Sequence, residues 1–373
     1  MASDYCHNIN LNKMENESEN DKLETLDYFE EDEKKIIKNV NNNSNPTKIQ
    51  FYKDIIKKSS IFGHFDDLFC IFNSIYDILF LVYINSKNSI IFYDLNDDKI
   101  VNEIRKVHNE KISNIKYFLD KINKRDLILS VSSSDRNIKL WNINNFHCLY
   151  DYKNVYNDGY LYSVCFLKDD DLTFIAASKN NFPGDSENIK IFDLNGNKII
   201  EINDSNDNTI FIDSYYDIEK SKNYIITGNC GFIKSYYFNE NKLYHKYQET
   251  NDASFSSSLI INNQKEETKL IESNTLGCVR IWNFHSGELL NKIKGNYCFY
   301  GICLWNNDYL LVGSEDRAIK ILDLNKGKII KSLIGHEDYV MSIKKIIHPK
   351  YGICIISQGY PSGQIKLWVF KDY

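Results

Sequence analysis

The chain has 373 residues, of which 43% are hydrophobic and 14% are aromatic, and its formal net charge is −6. That length is ample for a sizeable core and, taken alone, suggests two or three domains. The charge is unevenly placed: residues 1–47 hold 11 acidic and 5 basic side chains, whereas residues 48–373 hold 40 of each. A segment without a basic excess has little with which to displace counterions from a phosphate backbone, so the sequence disfavours non-specific nucleic-acid binding.

The cysteines and the hydropathy pattern indicate the cellular compartment. The nine cysteines form no C-x-x-C pair, and several lie in apolar, strand-like runs such as 161–166. We interpret them as buried, reduced thiols. The N-terminus is too polar for a signal peptide, and no apolar run approaches the ~20 residues that cross a bilayer. We therefore expect an intracellular protein, cytoplasmic or nuclear, with no direct membrane insertion.

The first segment, residues 1–47, is acidic and rich in Asn, and it ends in a linker-like run at 41–46. This composition predicts a mostly disordered tail. Residues 21–38 also carry the charge pairs and the partial apolar stripe of a helix, which would form on docking to a partner. Both interpretations of the tail remain open.

From residue 48 the pattern becomes strand-like, and one short phrase then recurs seven times. Each copy has a β-branched residue, usually a basic residue, an apolar residue, then an aromatic residue or Leu, and often Asp or Asn. Successive copies are between 40 and 51 residues apart, and they occupy residues 90–94, 138–142, 189–193, 233–237, 279–283, 319–323 and 365–369. A repeat of this length predicts a circular or solenoidal array of similar units.

These seven phrases resemble the WD-repeat family, and the resemblance covers about residues 48–370. It implies an all-β, seven-bladed β-propeller of four-stranded antiparallel blades, similar in architecture to the heterotrimeric G-protein β subunit. We name the strands of a blade a to d, with the phrase on strand c. The last blade has strands a to c at 339–347, 351–357 and 364–370, and no further strand follows them. We therefore expect an N-terminal strand at 48–53 to serve as its strand d and close the ring. The predicted domains are the tail, 1–47, and the propeller, 48–373.

The same resemblance implies a buried hydrogen-bonded network in each blade. Its members in the family are a His before strand a, a Ser or Thr on strand b, a Trp on strand c and an Asp in the b–c turn. Two blades retain most of it: His108, Asp135 and Trp141 in the second, with Val131 expected at the hydroxyl position, and His336, Ser357 and Trp368 in the seventh, with Ser362 at the Asp position.

Motifs of catalysis are absent from the sequence. It contains no phosphate-binding G-x-x-x-x-G-K-[ST], no dinucleotide-binding G-x-G-x-x-G after a strand, no H-E-x-x-H and no G-x-S-x-G. The eight histidines fit structural or solvated positions better than metal sites. We therefore predict a protein that is not an enzyme, with no catalytic residues, no metal and no cofactor.

Candidate binding residues follow from the resemblance. In such propellers the residue before the first apolar residue of strand a points to the mouth of the central channel, on the top face, where partners dock. Four of the seven residues at this position are aromatic, a type enriched at interface hot spots. The alternative is that they pack the blade tops. The seven are Asp67, Lys111, Tyr160, Thr209, Phe255, Phe299 and Tyr339.

Two further features belong to the b–c connections. The third blade has an extended connection at 180–188, which is either a recognition loop or a neutral insertion. Arg136 and Arg317 each follow a turn Asp. They would either bind a phosphate or carboxylate or serve the turn itself, and their recurrence in equivalent turns favours the second role.

The sequence therefore predicts a non-catalytic scaffold, a monomeric propeller that binds partner proteins or peptides within a larger complex. The alternatives are a substrate-recognition subunit and a subunit of a nuclear RNA-processing or ribosome-assembly complex. A phosphoinositide-binding propeller is disfavoured, because related proteins carry an Arg-Arg phrase and this chain has no Arg-Arg dipeptide.

Overall fold

A computed structural model describes residues 45–57, 69–74, 78–157, 159–169, 172–180, 187–204, 209–217, 220–249, 255–262 and 267–370. The predicted tail lies outside these ranges except for residues 45–47, so its disorder, its possible helix and the division of the chain at residue 47 remain predictions. Asp67, a predicted binding residue, and residues 181–186 of the extended connection in the third blade also lie outside the described ranges.

The described residues form 28 strands, after a single 3-10 turn at Pro46–Lys48, in seven four-stranded antiparallel sheets. The a strands are β2 (Phe69–Asn73), β6 (Ile112–Asp120), β10 (Tyr160–Asp169), β14 (Thr209–Asp217), β18 (Phe255–Ile261), β22 (Phe299–Asn306) and β26 (Tyr339–His348). The b strands are β3 (Leu79–Ile84), β7 (Arg125–Ser132), β11 (Leu172–Asn180), β15 (Lys222–Asn229), β19 (Lys269–Asn274), β23 (Tyr309–Ser314) and β27 (Gly352–Tyr360). The c strands are β4 (Ile90–Asp94), β8 (Asn137–Asn142), β12 (Glu187–Asp193), β16 (Ile233–Tyr237), β20 (Cys278–Asn283), β24 (Ala318–Asp323) and β28 (Ile365–Phe370). The d strands are β5 (Lys99–Ile104), β9 (His147–Tyr152), β13 (Lys198–Asp204), β17 (Lys242–Tyr247), β21 (Leu289–Lys294), β25 (Lys328–Ile334) and, for the last blade, β1 (Ile49–Ile56).

The sheets are arranged as blades of a closed ring. The a strand of each blade contacts the a strand of the next, and β26 of the last blade contacts β2 of the first. The a strands are therefore innermost and the d strands outermost. The predicted all-β, seven-bladed propeller is confirmed, and each repeated phrase lies on a c strand.

The buried apolar residues that the structure describes form seven large cores, each between two consecutive blades, and one small cluster of Tyr300 and Met341. The core between blades 6 and 7, for example, joins Leu311 and Ile321 of one blade to Ile355 and Trp368 of the next. Both faces of a blade are covered in this way, so its middle strands read as nearly continuous apolar runs. Burial of these faces is the main force that holds the blades together.

The N-terminal strand closes the ring as predicted. β1 pairs antiparallel with β28, from Ile49 opposite Phe370 to Ile56 opposite Ile365. Ile49 is 1% exposed within the core between blades 6 and 7. Lys366 of β28 places its Nζ 2.5 Å from Oδ1 of Asp54. The edge of β28, which would otherwise be open to pairing with other chains, is thereby covered.

The a strands share an irregularity close to their first residue. In six blades the a–b pairing shifts register there, for example between Val340 and Ser342, or between Phe299 and Ile302. Such β-bulges increase twist and re-aim the side chains around them. They occur at the edge of the ring where strands a begin and strands b end, which we call the top face.

Candidate protein-binding surface

The structure places six of the seven predicted site residues at the top face, and the seventh, Asp67, lies outside the described residues. Five of the six open an a strand, and the remaining one directly precedes β6. In order they are Lys111, Tyr160, Thr209, Phe255, Phe299 and Tyr339. The alignment of the repeats therefore selected one structural position around the ring.

Their side chains differ in exposure. Lys111 is exposed, Tyr160 is 50% exposed and Tyr339 is 38% exposed. Thr209 and Phe299 are 0% and 1% exposed. A side chain without accessible surface makes no contact with a docking protein. Of the five residues whose exposure the structure describes, Lys111, Tyr160 and Tyr339 therefore remain candidates on the basis of their accessibility.

The inward position of Phe299 has a cause in the repeated phrase. A Cβ on Gly335 would lie 2.9 Å from Cη2 of Trp368, so in blade 7 the Trp ring occupies the space beside this glycine. Blade 6 has Leu322 at the position of that Trp, and there the ring of Phe299 takes the space, 2.5 Å from a Cβ on Gly295. Phe299 accordingly belongs to the core between blades 5 and 6, together with Leu322.

Tyr339 is part of an aromatic platform that sequence reasoning missed. It lies directly opposite Tyr360 on the neighbouring strand, and Tyr360 is 39% exposed. The ring of Tyr300 stacks near that of Tyr339, with centroids 6.5 Å apart and planes 24° apart. Tyr300 is buried against Met341, and both are bulge residues of their a strands. A buried, stacked ring thus supports the exposed ring of Tyr339.

Three more exposed apolar side chains lie at the top face of blades 5 and 6. Leu276 lies in the b–c turn of blade 5, Tyr297 precedes β22, and Ile334 ends β25, with exposures of 54%, 50% and 72%. We call Leu276, Tyr297, Ile334, Tyr339 and Tyr360 the top apolar patch. Exposed apolar residues that are concentrated on one surface mark interaction sites more often than scattered ones do. In the sequence, an apolar residue in a b–c turn, Leu276, could have indicated this patch.

Electrostatics keep the groups beneath the patch neutral. Burial raises the pKa of Tyr300, and the nearby Cys298 and Glu315 raise it further. Burial also raises the pKa of the Cys298 thiol, and a hydrogen bond with Glu315 adds to the rise. Because a reactive cysteine needs a lowered pKa, Cys298 is a packing residue and a weak donor here.

The hydrogen-bonded networks of blades 2 and 7 orient the loops at this face. In blade 7, Oγ of Ser357 lies 2.6 Å from Nε2 of His336 and accepts a 2.7 Å hydrogen bond from Nε1 of Trp368. Blade 2 has the same arrangement: Oγ of Ser130 lies 2.9 Å from Nε2 of His108 and 3.0 Å from Nε1 of Trp141. The expectation that Val131 occupies the hydroxyl position was wrong, because Ser130 occupies it.

The turn carboxylate of this network changes place between the two blades. In blade 2 the turn residue Asp135 accepts a 3.0 Å hydrogen bond from the N–H of Glu110 in the loop before strand a. In blade 7 the turn has Ser362, and its N–H donates a 3.2 Å hydrogen bond to Asp338 in that loop. The loop and the turn are tied together in both blades, with the carboxylate on opposite partners.

The two arginines that follow turn aspartates serve the turn backbone. Arg136 and Arg317 have φ values of 56° and 67°, in the left-handed region. The residue two places before the phrase is left-handed in four other blades too, where it is Asn88, Gly231, Gly277 or Gly363. Gly and Asn reach this region at low cost. The recurrence therefore supports the structural role that the sequence favoured, and Arg136 also donates a hydrogen bond to the carbonyl of Asn157.

Blade 5 replaces the hydroxyl by a buried ion pair. Glu272 pairs with Arg280 across β19 and β20, at the place where blade 7 has Ser357 opposite Lys366. Nε of Arg280 donates to Glu272, both side chains are at most 1% exposed, and Glu249 lies 3.3 Å from Nη1 of Arg280. Burial raises the pKa of Glu272 to about 7, and the guanidinium of Arg280 opposes that rise.

Comparison with known proteins gives one partial likeness. No family model matches the chain. A segment of 82 residues, 21% of this chain, is 29% identical to U3 small nucleolar RNA-associated protein 15 of Schizosaccharomyces pombe. The matched segment spans 17% of the length of that protein.

Two negative findings apply to the part of the chain that the structure describes. It contains no group of three or more His, Cys, Asp or Glu side chains arranged to hold a metal ion. It also contains no helix that is long and apolar enough to cross a membrane.

Proposed function

We propose that this protein is a non-catalytic, WD-repeat interaction scaffold that binds partner proteins through the top apolar patch. The observation that carries the proposal is the exposed pair Tyr339 and Tyr360, which lie opposite each other on β26 and β27, with the buried ring of Tyr300 stacked near that of Tyr339. A rigid, supported aromatic surface buries a large area on docking at a small entropic cost. A propeller fold also fits this role, because it presents a broad face on a rigid frame.

Affinity purification of the tagged full-length protein from its native cells tests the proposal. Replacing both exposed tyrosines, as Tyr339→Ser/Tyr360→Ser, should remove at least one co-purifying protein, since truncating a central aromatic contact typically costs 2 kcal/mol or more, about 30-fold in affinity. Both side chains end at the surface, so the variant should keep the melting temperature of the wild type within a few degrees.

The matched control removes exposed apolar residues from the opposite edge of the ring. Ile122 and Leu172 lie at a–b turns, are 58% and 62% exposed, and belong to neighbouring blades. Ile122→Ser/Leu172→Ser should leave the co-purifying set unchanged. An unchanged set for the folded tyrosine variant, or an equal loss for the control, would contradict the proposal.

A second, more specific function is membership of a nuclear complex that processes RNA or assembles ribosomes. Its support is the partial likeness to U3 small nucleolar RNA-associated protein 15. Under this hypothesis the tagged protein is found in the nucleus, and it co-purifies U3 small nucleolar RNA through protein contacts. Exclusion of the tagged protein from the nucleus would contradict it and would leave the scaffold proposal intact.

A further inference from the structure

The charges around the top apolar patch narrow down the chemistry of its partner. The loop before β26 carries Glu337 and Asp338, and the b–c turn of blade 6 carries Glu315, Asp316 and Arg317. The equivalent positions two blades further round the ring are the loop before β6 and the b–c turn of blade 1, and they contain Glu110 with the exposed cations Lys87 and Lys111. The loop and turn beside the patch thus carry an acidic excess that the equivalent loop and turn lack.

Two of these carboxylates are used within the fold. Asp338 accepts the hydrogen bond from the N–H of Ser362, and Asp316 forms an ion pair with Lys320. The exposed Glu337 makes no ion pair with any described residue. Glu315 accepts a long 3.4 Å hydrogen bond from the N–H of Cys298 and a second hydrogen bond from the thiol of the same residue, and it is partly exposed. Glu315 and Glu337 therefore have hydrogen-bonding capacity to offer to a ligand.

These carboxylates lie near the aromatic platform. Glu337 is two residues before Tyr339, and Glu315 is close enough to Tyr300 to raise the pKa of its hydroxyl. The face of an exposed aromatic ring attracts a cation, and a carboxylate beside it attracts the same cation. An acidic partner would instead meet uncompensated like charge, which costs affinity.

We propose that the top apolar patch binds a lysine- or arginine-containing segment of a partner protein. A basic side chain lies over the ring of Tyr339 or Tyr360, and Glu315 and Glu337 hold that cation or a neighbouring one. The inference rests on the scaffold function proposed above and adds to it the chemistry of the bound segment. The tyrosines contribute the contact area, and the carboxylates select the sign of the charge.

Selection from a random peptide library, displayed on phage, against the immobilised full-length protein tests this inference. Sequences that bind the wild type and are lost with Tyr339→Ser/Tyr360→Ser should be enriched in Lys and Arg. A synthetic peptide of one such sequence should bind Glu315→Gln/Glu337→Gln about three- to tenfold more weakly than the wild type, with a smaller dependence on salt. Glu110→Gln/Glu288→Gln, which removes the same charge from exposed positions of other blades, should bind the peptide like the wild type.

The possible failures differ from one another. Enriched sequences that need the two tyrosines but are neutral or acidic would overturn the charge inference and leave the scaffold site standing. A selected basic peptide that binds the carboxylate variant and its control equally would do the same. Sequences that bind independently of Tyr339 and Tyr360, or no enrichment at all, would overturn the site itself.

Discussion

At the residue scale, one strand position shows how far the blades have diverged. The residue on strand b that pairs with the second residue of the phrase is Ser or Thr in three blades, Glu in one and Ala, Val or Tyr in the rest. In chain order these residues are Tyr83, Ser130, Ala177, Thr227, Glu272, Val312 and Ser357. The repeat can thus lose its buried network and keep its pairing, because replacing all polar partners together costs little.

The same position explains an error of sequence reasoning. Ser130 lies opposite Lys139, whereas Val131 lies opposite Ile138. Neighbouring residues of a strand point to opposite faces, so an offset of one residue in a predicted strand exchanges every inward side chain for an outward one. The types of residue in the network were predictable, but their register required the observed pairing.

The two network histidines make stability depend on pH. Burial lowers the pKa of His108 to about 4 and that of His336 to about 3, from an ordinary value of 6.5. Their contribution is complete above pH 6.5 and is lost progressively as the pH falls from 6.5 towards these folded-state values, because the unfolded chain takes up the protons. We expect a loss on the order of 1–2 kcal/mol per histidine between about pH 6.5 and 5.

Thermal or urea unfolding at several pH values between about 7 and 5 measures this loss. The variant His108→Gln/His336→Gln should be less stable at neutral pH and should lose less stability on acidification than the wild type. His147, an exposed histidine on β9, supplies the control variant His147→Gln, which should retain the slope of the wild type. Identical slopes for all three proteins would show that the buried histidines are not responsible.

At the element scale, the closing strand β1 is the first strand of the described chain but belongs to the last blade. β1 fills an interblade core with Ile49, covers Trp368 with Phe51 at 5.8 Å between ring centroids, and pairs Asp54 with the buried Lys366. Removal of β1 exposes apolar surface and leaves β28 with an open edge. It also removes Asp54, the ion-pair partner of the buried Lys366. Each of these effects is destabilising, the last because an unpaired buried charge is costly.

Deleting residues 48–56 should therefore lower the melting temperature by at least about 10 °C and promote aggregation. Deleting residues 1–40, which lie outside the described part of the chain and before β1, should change it by no more than a few degrees. Circular dichroism melts of the two truncated proteins and the full chain make the comparison. Equal melting of the two truncated proteins would show that β1 is not needed for closure.

The ring closure was predictable, because the last blade lacked a fourth strand and an unassigned strand preceded the first. The bulges at the starts of the a strands were not. A bulge adds one or two residues to a strand without a distinct composition, and in blades 6 and 7 it buries Tyr300 and Met341 beneath the patch. The repeat therefore predicted the position of each candidate binding residue at the top face. The exposure of such a residue depends on the packing beneath it, as Phe299 and Tyr339 show.

At the scale of the whole molecule, the ring joins seven similar units, so that the stability of each depends on its neighbours. A blade buries both faces in two interblade cores, and opening one junction exposes apolar surface on two blades at once. In an open array of repeats, separate parts can unfold independently when their interfaces differ in strength. Closure removes the free ends from which such partial unfolding begins, so we expect the propeller to unfold as one unit.

Two matched core substitutions test that expectation at distant junctions. Leu129 and Leu311 both lie on b strands, are 0% exposed and belong to the cores between blades 2 and 3 and between blades 6 and 7. Leu129→Ala and Leu311→Ala should each cost about 2–5 kcal/mol, and the double variant should lose the sum within about 0.5 kcal/mol. Urea unfolding should give one transition in every variant, with coincident curves for circular dichroism and for the fluorescence of the four tryptophans, which lie in blades 2, 5, 6 and 7. Curves that separate in Leu311→Ala, whose substitution lies in the same core as Trp305 and Trp368, would mean that blades 6 and 7 open first and that the ring is not a single cooperative unit.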